Sequence, residues 1–271
     1  LWLGQLLARS GRMDRAGEVL ERAAKVAPDE PEVWMALFSY RIGTSDPEGA
    51  EKAITKAASL MPEPRRQMAL AQAYEMLGRT ADAERLLQEA VQGWPEDLDA
   101  LRNLAAFEAR RGRSQEARSL LEKILALDGP DVAVAKTWAR RLLTELTATR
   151  GTFKDLEKAL VMLRENRSAD GKAAPEDLEL EITLLANRPE PAAWRRAIAL
   201  LDELVAVRPM SPQQRFLRAQ LLEKVGMWDE ARSELMTLVA GRTTPPGQVA
   251  MLVEKLIDHG ELSNARTWLR R

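Results

Sequence analysis

Apolar and polar residues along this chain fall into blocks of helical period separated by short polar turns. Between Pro31 and Pro62, Val33, Trp34, Leu37, Phe38 and Arg41 keep helical spacing, Gly43 to Pro47 supplies turn residues, and Ala50, Ala53, Ile54, Ala57 and Ala58 restart the same period. The segment predicts helix, turn, helix. Asp46 is placed to cap the second helix, with Pro47 at its first position, where a missing N–H costs nothing. Pro62 ends that helix because proline cannot continue the hydrogen-bond pattern.

The block recurs in fixed phase. Ala16, Ala50, Ala83 and Ala117 follow one another at steps of 34, 33 and 34 residues, and Ala197, Ala231 and Ala265 at steps of 34 and 34. Gly11, Gly78, Gly112, Gly226 and Gly260 each stand five residues before one of these alanines, and Pro28, Pro62, Pro95 and Pro209 each stand twelve after one. A period between about 20 and 50 residues marks stacked supersecondary units, none able to bury its apolar face alone. The alanines suit close helix crossings, such as Ala71 with Ala83 and Ala105 with Ala117, where small side chains let backbones approach. The glycines suit a left-handed turn between the two helices.

These residues resemble the tetratricopeptide repeat. The second repeat supplies Trp34, Leu37, Phe38, Arg41, Ser45, Ala50, Ile54, Ala57 and Pro62 at the family's signature positions, and the third supplies Leu70, Ala71, Tyr74, Gly78, Ala83, Leu87, Ala90 and Pro95. The resemblance implies an all-α fold, a right-handed α-solenoid of stacked antiparallel helix pairs. It divides the chain into about eight repeats over roughly 1–30, 31–63, 64–97, 98–131, 132–170, 175–211, 212–245 and 246–271, the first and last truncated. The chain therefore reads as one array cut from a longer protein.

The register breaks in the middle, where Ala117 and Ala197 stand 80 residues apart, two repeats of 34 plus twelve. One insertion lengthens the fifth repeat's first helix, about 131–149, which carries Ala135, Trp138, Ala139, Leu142 and Leu146 on one face. Its second helix, from Phe153 to about Glu165, has Leu156 where the array uses alanine. The other insertion is the polar loop 166–174, a bend or mobile loop before a short helix from Glu176 to Asn187.

Composition narrows the function by exclusion. Forty basic and forty-one acidic side chains give a net charge of −1, which disfavours direct nucleic-acid binding through bulk charge. The absence of cysteine excludes disulfides, thiolate metal sites and cysteine nucleophiles. The single histidine, His259, beside Gly260, suits a helix C-terminus better than catalysis or a metal site. No apolar run approaches the ~18 residues that span a bilayer. No glycine-rich phosphate loop, His-Glu-x-x-His or Gly-x-Ser-x-Gly motif is present. The expectation is a non-enzymatic protein with no cofactor and no metal.

What the resemblance implies is a binding surface on the concave face, lined by the first helices, that holds an extended peptide or a partner helix. Projected onto this sequence, the lining residues are Glu32, Met35, Ser39, Arg65, Met68, Gln72, Glu75, Arg102, Asn103, Ala106, Arg110, Lys136 and Arg140. Arg102, Arg110, Lys136 and Arg140 form a basic stretch suited to an acidic partner, and Met35 and Met68 offer adaptable apolar contact. The family's carboxylate clamp is not reproduced. Asn103 matches its middle member, but Met68 and Gln72 stand where Lys and Asn belong, and Ala133 and Thr137 where Lys and Arg belong.

The leading expectation is a protein-interaction scaffold. The alternatives are a recruiting arm of a larger enzyme or of a bacterial envelope or secretion machine, and a scaffold of the half-repeat type used in RNA processing, which the scattered first-helix aromatics do not favour. Trp2 and Trp268, in truncated repeats, are expected to be exposed and to promote self-association through the ends.

Overall fold

The computed structural model describes residues 1–149, 152–168, 171–240 and 246–270. It is all-α, with sixteen helices and no strand among the described residues. Packing groups the chain into two compact bodies, Leu1–Leu142 and Leu143–Arg271.

The first body holds four antiparallel helix pairs and the start of a ninth helix. The pairs are α1 (Trp2–Arg9) with α2 (Met13–Val26), α3 (Pro31–Gly43) with α4 (Pro47–Ser59), α5 (Arg65–Met76) with α6 (Thr80–Gly93), and α7 (Leu98–Arg110) with α8 (Ser114–Ala126). α9 (Val132–Ala148), at 17 residues the longest helix, runs from this body into the second. The second body continues with α10 (Phe153–Arg164), α11 (Pro175–Ala186) paired with α12 (Pro191–Val205), α13 (Pro212–Lys224) with α14 (Trp228–Val239), and α15 (Pro246–Asp258) with α16 (Leu262–Leu269).

Local chemistry sets the helix boundaries. The Asp46 carboxylate accepts a 2.9 Å hydrogen bond from the Gly49 N–H, Asp97 accepts one of 2.8 Å from Ala100, and Ser211 and Gln214 close a reciprocal capping box on α13. The turn glycines Gly11, Gly78, Gly112, Gly226 and Gly260 take φ between +73° and +83°, and Ser45 takes the same role at +59°. In each turn the next residue's N–H closes back onto the first helix: Arg79 donates to Tyr74, Arg113 to Glu108 and Glu261 to Leu256, at 2.8, 2.9 and 2.7 Å.

The phased alanines form the close contacts. Ala16, Ala50, Ala83, Ala117, Ala197 and Ala231 are fully buried, and so are their crossing partners Ala71 and Ala105 to within 1 %. Four residues after each phased position stands a large aliphatic side chain: Leu20, Ile54, Leu87, Leu121, Leu160, Leu201 and Leu235 are all at most 4 % exposed. Leu20 shares a core with Val33 and Leu37 of the following first helix, Leu160 with Leu178 and Ile182, and Leu235 with Leu252 and Leu256. This aliphatic position fastens one repeat to the next.

At four of the junctions a second fastening lies one residue after the phased position. Glu51 meets Arg79 at 2.6 Å and Glu84 meets Arg113 at 2.7 Å. In the second body Glu157 meets Arg188 at 2.5 Å, and Arg232 meets Glu261 at 2.8 Å with the signs reversed. Each partner sits in the turn of the following repeat. The first junction uses a glycine instead: a Cβ on Gly17 would lie 2.5 Å from the Tyr40 hydroxyl.

The second body bears on three expectations. Of the loop 166–174, residues 169–170 lie outside the described residues, and the described Asn166 and Arg167 pack on α11. Buried Glu181 pairs with Arg164 at 3.4 Å and Arg167 at 3.2 Å, and Asn166 donates to the buried Asp177 carboxylate at 3.1 Å. His259 is not simply a helix-end residue. Its ring stacks on Trp228 with centroids 3.8 Å apart and planes 8° apart, and Nε2 lies 3.1 Å from Glu223. Trp268 is half-buried in the last core rather than exposed, whereas Trp2 is 72 % exposed.

Candidate functional site

First helices of successive repeats bring residues about one repeat apart into contact. The Asn103 amide donates to the Asp99 carbonyl at 2.8 Å and approaches the Met68 sulfur at 3.5 Å. Arg110 forks onto Glu75, with Nη2–Oε2 at 2.7 Å and Nε–Oε1 at 3.1 Å. Around these contacts lies a groove of about 500 Å³ lined by Met68, Gln72, Glu75, Met76, Leu87, Asn103 and Arg110. Five of the thirteen projected positions therefore converge on one concavity.

Met35 and Ser39, with Glu32, line a second and larger groove of about 640 Å³ beside Trp2, Leu6 and Tyr40. Ser39 turns its hydroxyl back to the Met35 carbonyl at 3.1 Å, which leaves the wall there mainly apolar.

The remaining projected residues line neither groove. Arg65 is exposed at the start of α5 and Ala106 is half-buried. Arg102 stacks its guanidinium 5.1 Å over the Trp138 ring and lies 3.9 Å from Asp99. Lys136 meets Asp128 at 3.2 Å, and Arg140 is half-buried on α9. Of the four cations in the expected basic stretch, Arg110 alone lines a described groove, and Glu75 already neutralises it. A carboxylate arriving from outside meets a compensated cation, not an open one.

Sequence reasoning did not pick out Met76 and Leu87, which supply apolar surface to the smaller groove, or Tyr40 in the larger. Leu87 sits on the second helix α6, outside the first-helix positions that the family resemblance implies. Among the described residues no cluster of His, Cys, Asp or Glu is arranged to hold a metal, and no helix is long and apolar enough to cross a membrane.

Models described as tetratricopeptide repeat match residues 1–39, 35–97 and 76–140. The chain is 26 % identical over 254 residues to cellulose synthase operon protein C of Xanthomonas axonopodis pv. citri (strain 306), an alignment covering 90 % of this chain and 16 % of that protein. It is 29 % identical over 150 residues to protein O-mannosyl-transferase TMTC1 of Homo sapiens, covering 55 % of this chain and 16 % of that one. The chain thus spans 16 % of the length of each of these relatives. Among solved structures it is similar to PilW, a widely conserved type IV pilus biogenesis factor, with a TM-score of 0.62 and 16 % identity over 82 % of this chain and 98 % of that one. A tetratricopeptide repeat protein of Parabacteroides merdae ATCC 43184 gives a TM-score of 0.55 and 14 % identity over 89 % and 91 %. At these identities the structural likeness establishes the fold.

Proposed function

Because the chain belongs to the tetratricopeptide repeat family, a fold that serves as a protein-interaction scaffold, we propose that it is non-enzymatic and holds an extended or helical segment of a partner protein in its first-helix groove. The observation that carries this reading is the convergence of Met68, Gln72, Glu75, Asn103 and Arg110 on one concavity. Met68 and Met76 supply adaptable apolar contact, and Gln72 and Asn103 supply amides suited to a peptide backbone. An acidic residue of the partner takes part by displacing Glu75 from Arg110.

Selection of random peptides on the immobilised chain tests this. Enriched peptides that lose at least ten-fold in affinity to Met68→Glu and to Gln72→Ala, while both variants keep their helical circular dichroism, support the groove. Peptides bound equally by both variants would overturn it.

A second reading rests on the similarity to cellulose synthase operon protein C over 90 % of this chain. In it the array is a recruiting arm of a larger polysaccharide-making or envelope assembly. Photo-crosslinks from a probe at Gln72 in living cells distinguish the two. Crosslinks to components of such an assembly favour the arm, and crosslinks confined to unrelated proteins count against it.

A further inference from the structure

The chain has ten methionines and no cysteine, so an oxidant that seeks a sulfur nucleophile meets thioethers alone. Two of these share one face of α5. Met68 and Met76 stand eight residues apart with Gln72 midway, and all three line the groove of about 500 Å³. Met76 is 52 % exposed, and Met68 is half-buried. The Met68 sulfur already faces a donor from α7: the Asn103 amide nitrogen Nδ2 lies 3.5 Å from it and also donates to the Asp99 carbonyl at 2.8 Å. A thioether is a weak acceptor, so the contact holds little in the reduced protein.

We propose that Met68 is a site of reversible oxidation by peroxides, and that its sulfoxide closes the groove to apolar side chains of a partner. The Sδ lone pair attacks one oxygen of hydrogen peroxide. An S–O bond forms as the O–O bond breaks, sulfur gives up two electrons, and the second oxygen leaves as water after taking the proton of the first. The new oxygen carries partial negative charge beside the Asn103 amide, which exchanges a weak acceptor for a strong one. Asn103 is then occupied rather than offered to a peptide backbone, and an adaptable apolar contact has become polar. Met76, on the same wall, adds polarity when oxidised alike. A methionine sulfoxide reductase reverses the step: a dithiol becomes a disulfide, sulfur regains two electrons, and the oxygen leaves as water. The regulatory half of this proposal rests on the groove being the binding surface; the modification itself does not.

Titration of the chain with hydrogen peroxide, followed by peptide mass mapping, tests the site. Met68 should be oxidised about five-fold faster than Met61, which is also half-buried but packs on the core of the first body. In NMR spectra the Asn103 side-chain amide, assigned by its loss in Asn103→Ala, should shift on oxidation of the parent chain and stay in place in Met68→Leu. A peptide selected on the reduced chain and weakened by Gln72→Ala should lose roughly ten-fold in affinity on oxidation and regain it with the reductase. The double variant Met68→Leu, Met76→Leu should hold its affinity under the same treatment, although it keeps the exposed Met13 and Met227 as oxidisable controls. Met68 oxidising no faster than Met61, or an unmoved Asn103 amide, would overturn the site. Undiminished binding at complete Met68 oxidation would overturn the regulation. If no selected peptide depends on Gln72, the groove reading falls and the regulation with it, while the mass and amide measurements still decide the modification.

Discussion

Arg110 reaches across from α7 to fork onto Glu75 of α5, with Nη2 donating to Oε2 at 2.7 Å and to Oε1 at 3.0 Å. The pair binds two repeats together and sets the charge of the groove. Glu75→Gln should leave the fold intact and expose the guanidinium. Affinity for an acidic probe such as a short polyglutamate peptide should then rise several-fold at low salt and fall back as salt screens it, while Arg110→Gln should abolish the gain. Fluorescence anisotropy of the labelled peptide measures this, and no gain on Glu75→Gln would show that Arg110 is not accessible.

Ser45 holds φ +59° at the position where other repeats place glycine. A left-handed residue with a side chain is strained, and glycine removes the strain but loses more entropy on folding. Ser45→Gly should stabilise the chain by about 0.5–1 kcal/mol net. Gly112→Ala should destabilise it by about 1 kcal/mol through backbone strain, since nothing lies within 4 Å of the added Cβ. Urea midpoints of the two variants should shift in opposite directions.

The aliphatic fastening should respond as a core position. Leu121 is fully buried, and truncation to alanine removes its contacts and leaves a cavity, at a cost of about 2–5 kcal/mol. Ala117→Leu, one turn away and also fully buried, should cost about 1–3 kcal/mol by overpacking. Thermal or urea unfolding measures both. A loss below ~1 kcal/mol for Leu121→Ala would mean that the junction repacks without a cavity.

Hydrogen bonds from Trp228, Asn264 and Arg232 hold the Glu261 carboxyl down to about 2 from its ordinary 4.5. A depressed acid stabilises the fold when ionised. Its contribution is complete above pH 4.5 and is lost as pH falls from there through about 2. Glu261→Gln should therefore flatten the acid limb of the stability profile in that window. The side-chain carboxyl signal of Glu261, followed by NMR, should titrate near the bottom of it. A titration near 4.5 would show that the three donors do not act together in solution.

The repeat was legible because its signals are local. An alanine wanted at a helix crossing, a glycine at a left-handed turn and a proline after a helix each answer to the backbone within a few residues, so their phase appears directly in the sequence. The groove was legible in part. Met68, Gln72, Glu75, Asn103 and Arg110, which line one groove, were reached through the family resemblance, which sets the first helices side by side. Leu87, Met76 and Tyr40 escaped because a groove wall takes whatever surface neighbouring helices present, which no single-helix pattern encodes.

Charge partnership was the least legible feature. Arg110, Lys136 and Arg102 read as a basic stretch because charge sums along a sequence, but each is answered by Glu75, Asp128 or the Trp138 ring through packing between segments. The same holds for His259, which a helix-end reading could not place on Trp228. By itself the sequence determined the helices, their turns, their pairing and the period at which they stack, since these depend on backbone preference and apolar phase. Only the tertiary structure decided which charges are compensated, because Coulomb energy depends on distances between residues a whole repeat apart.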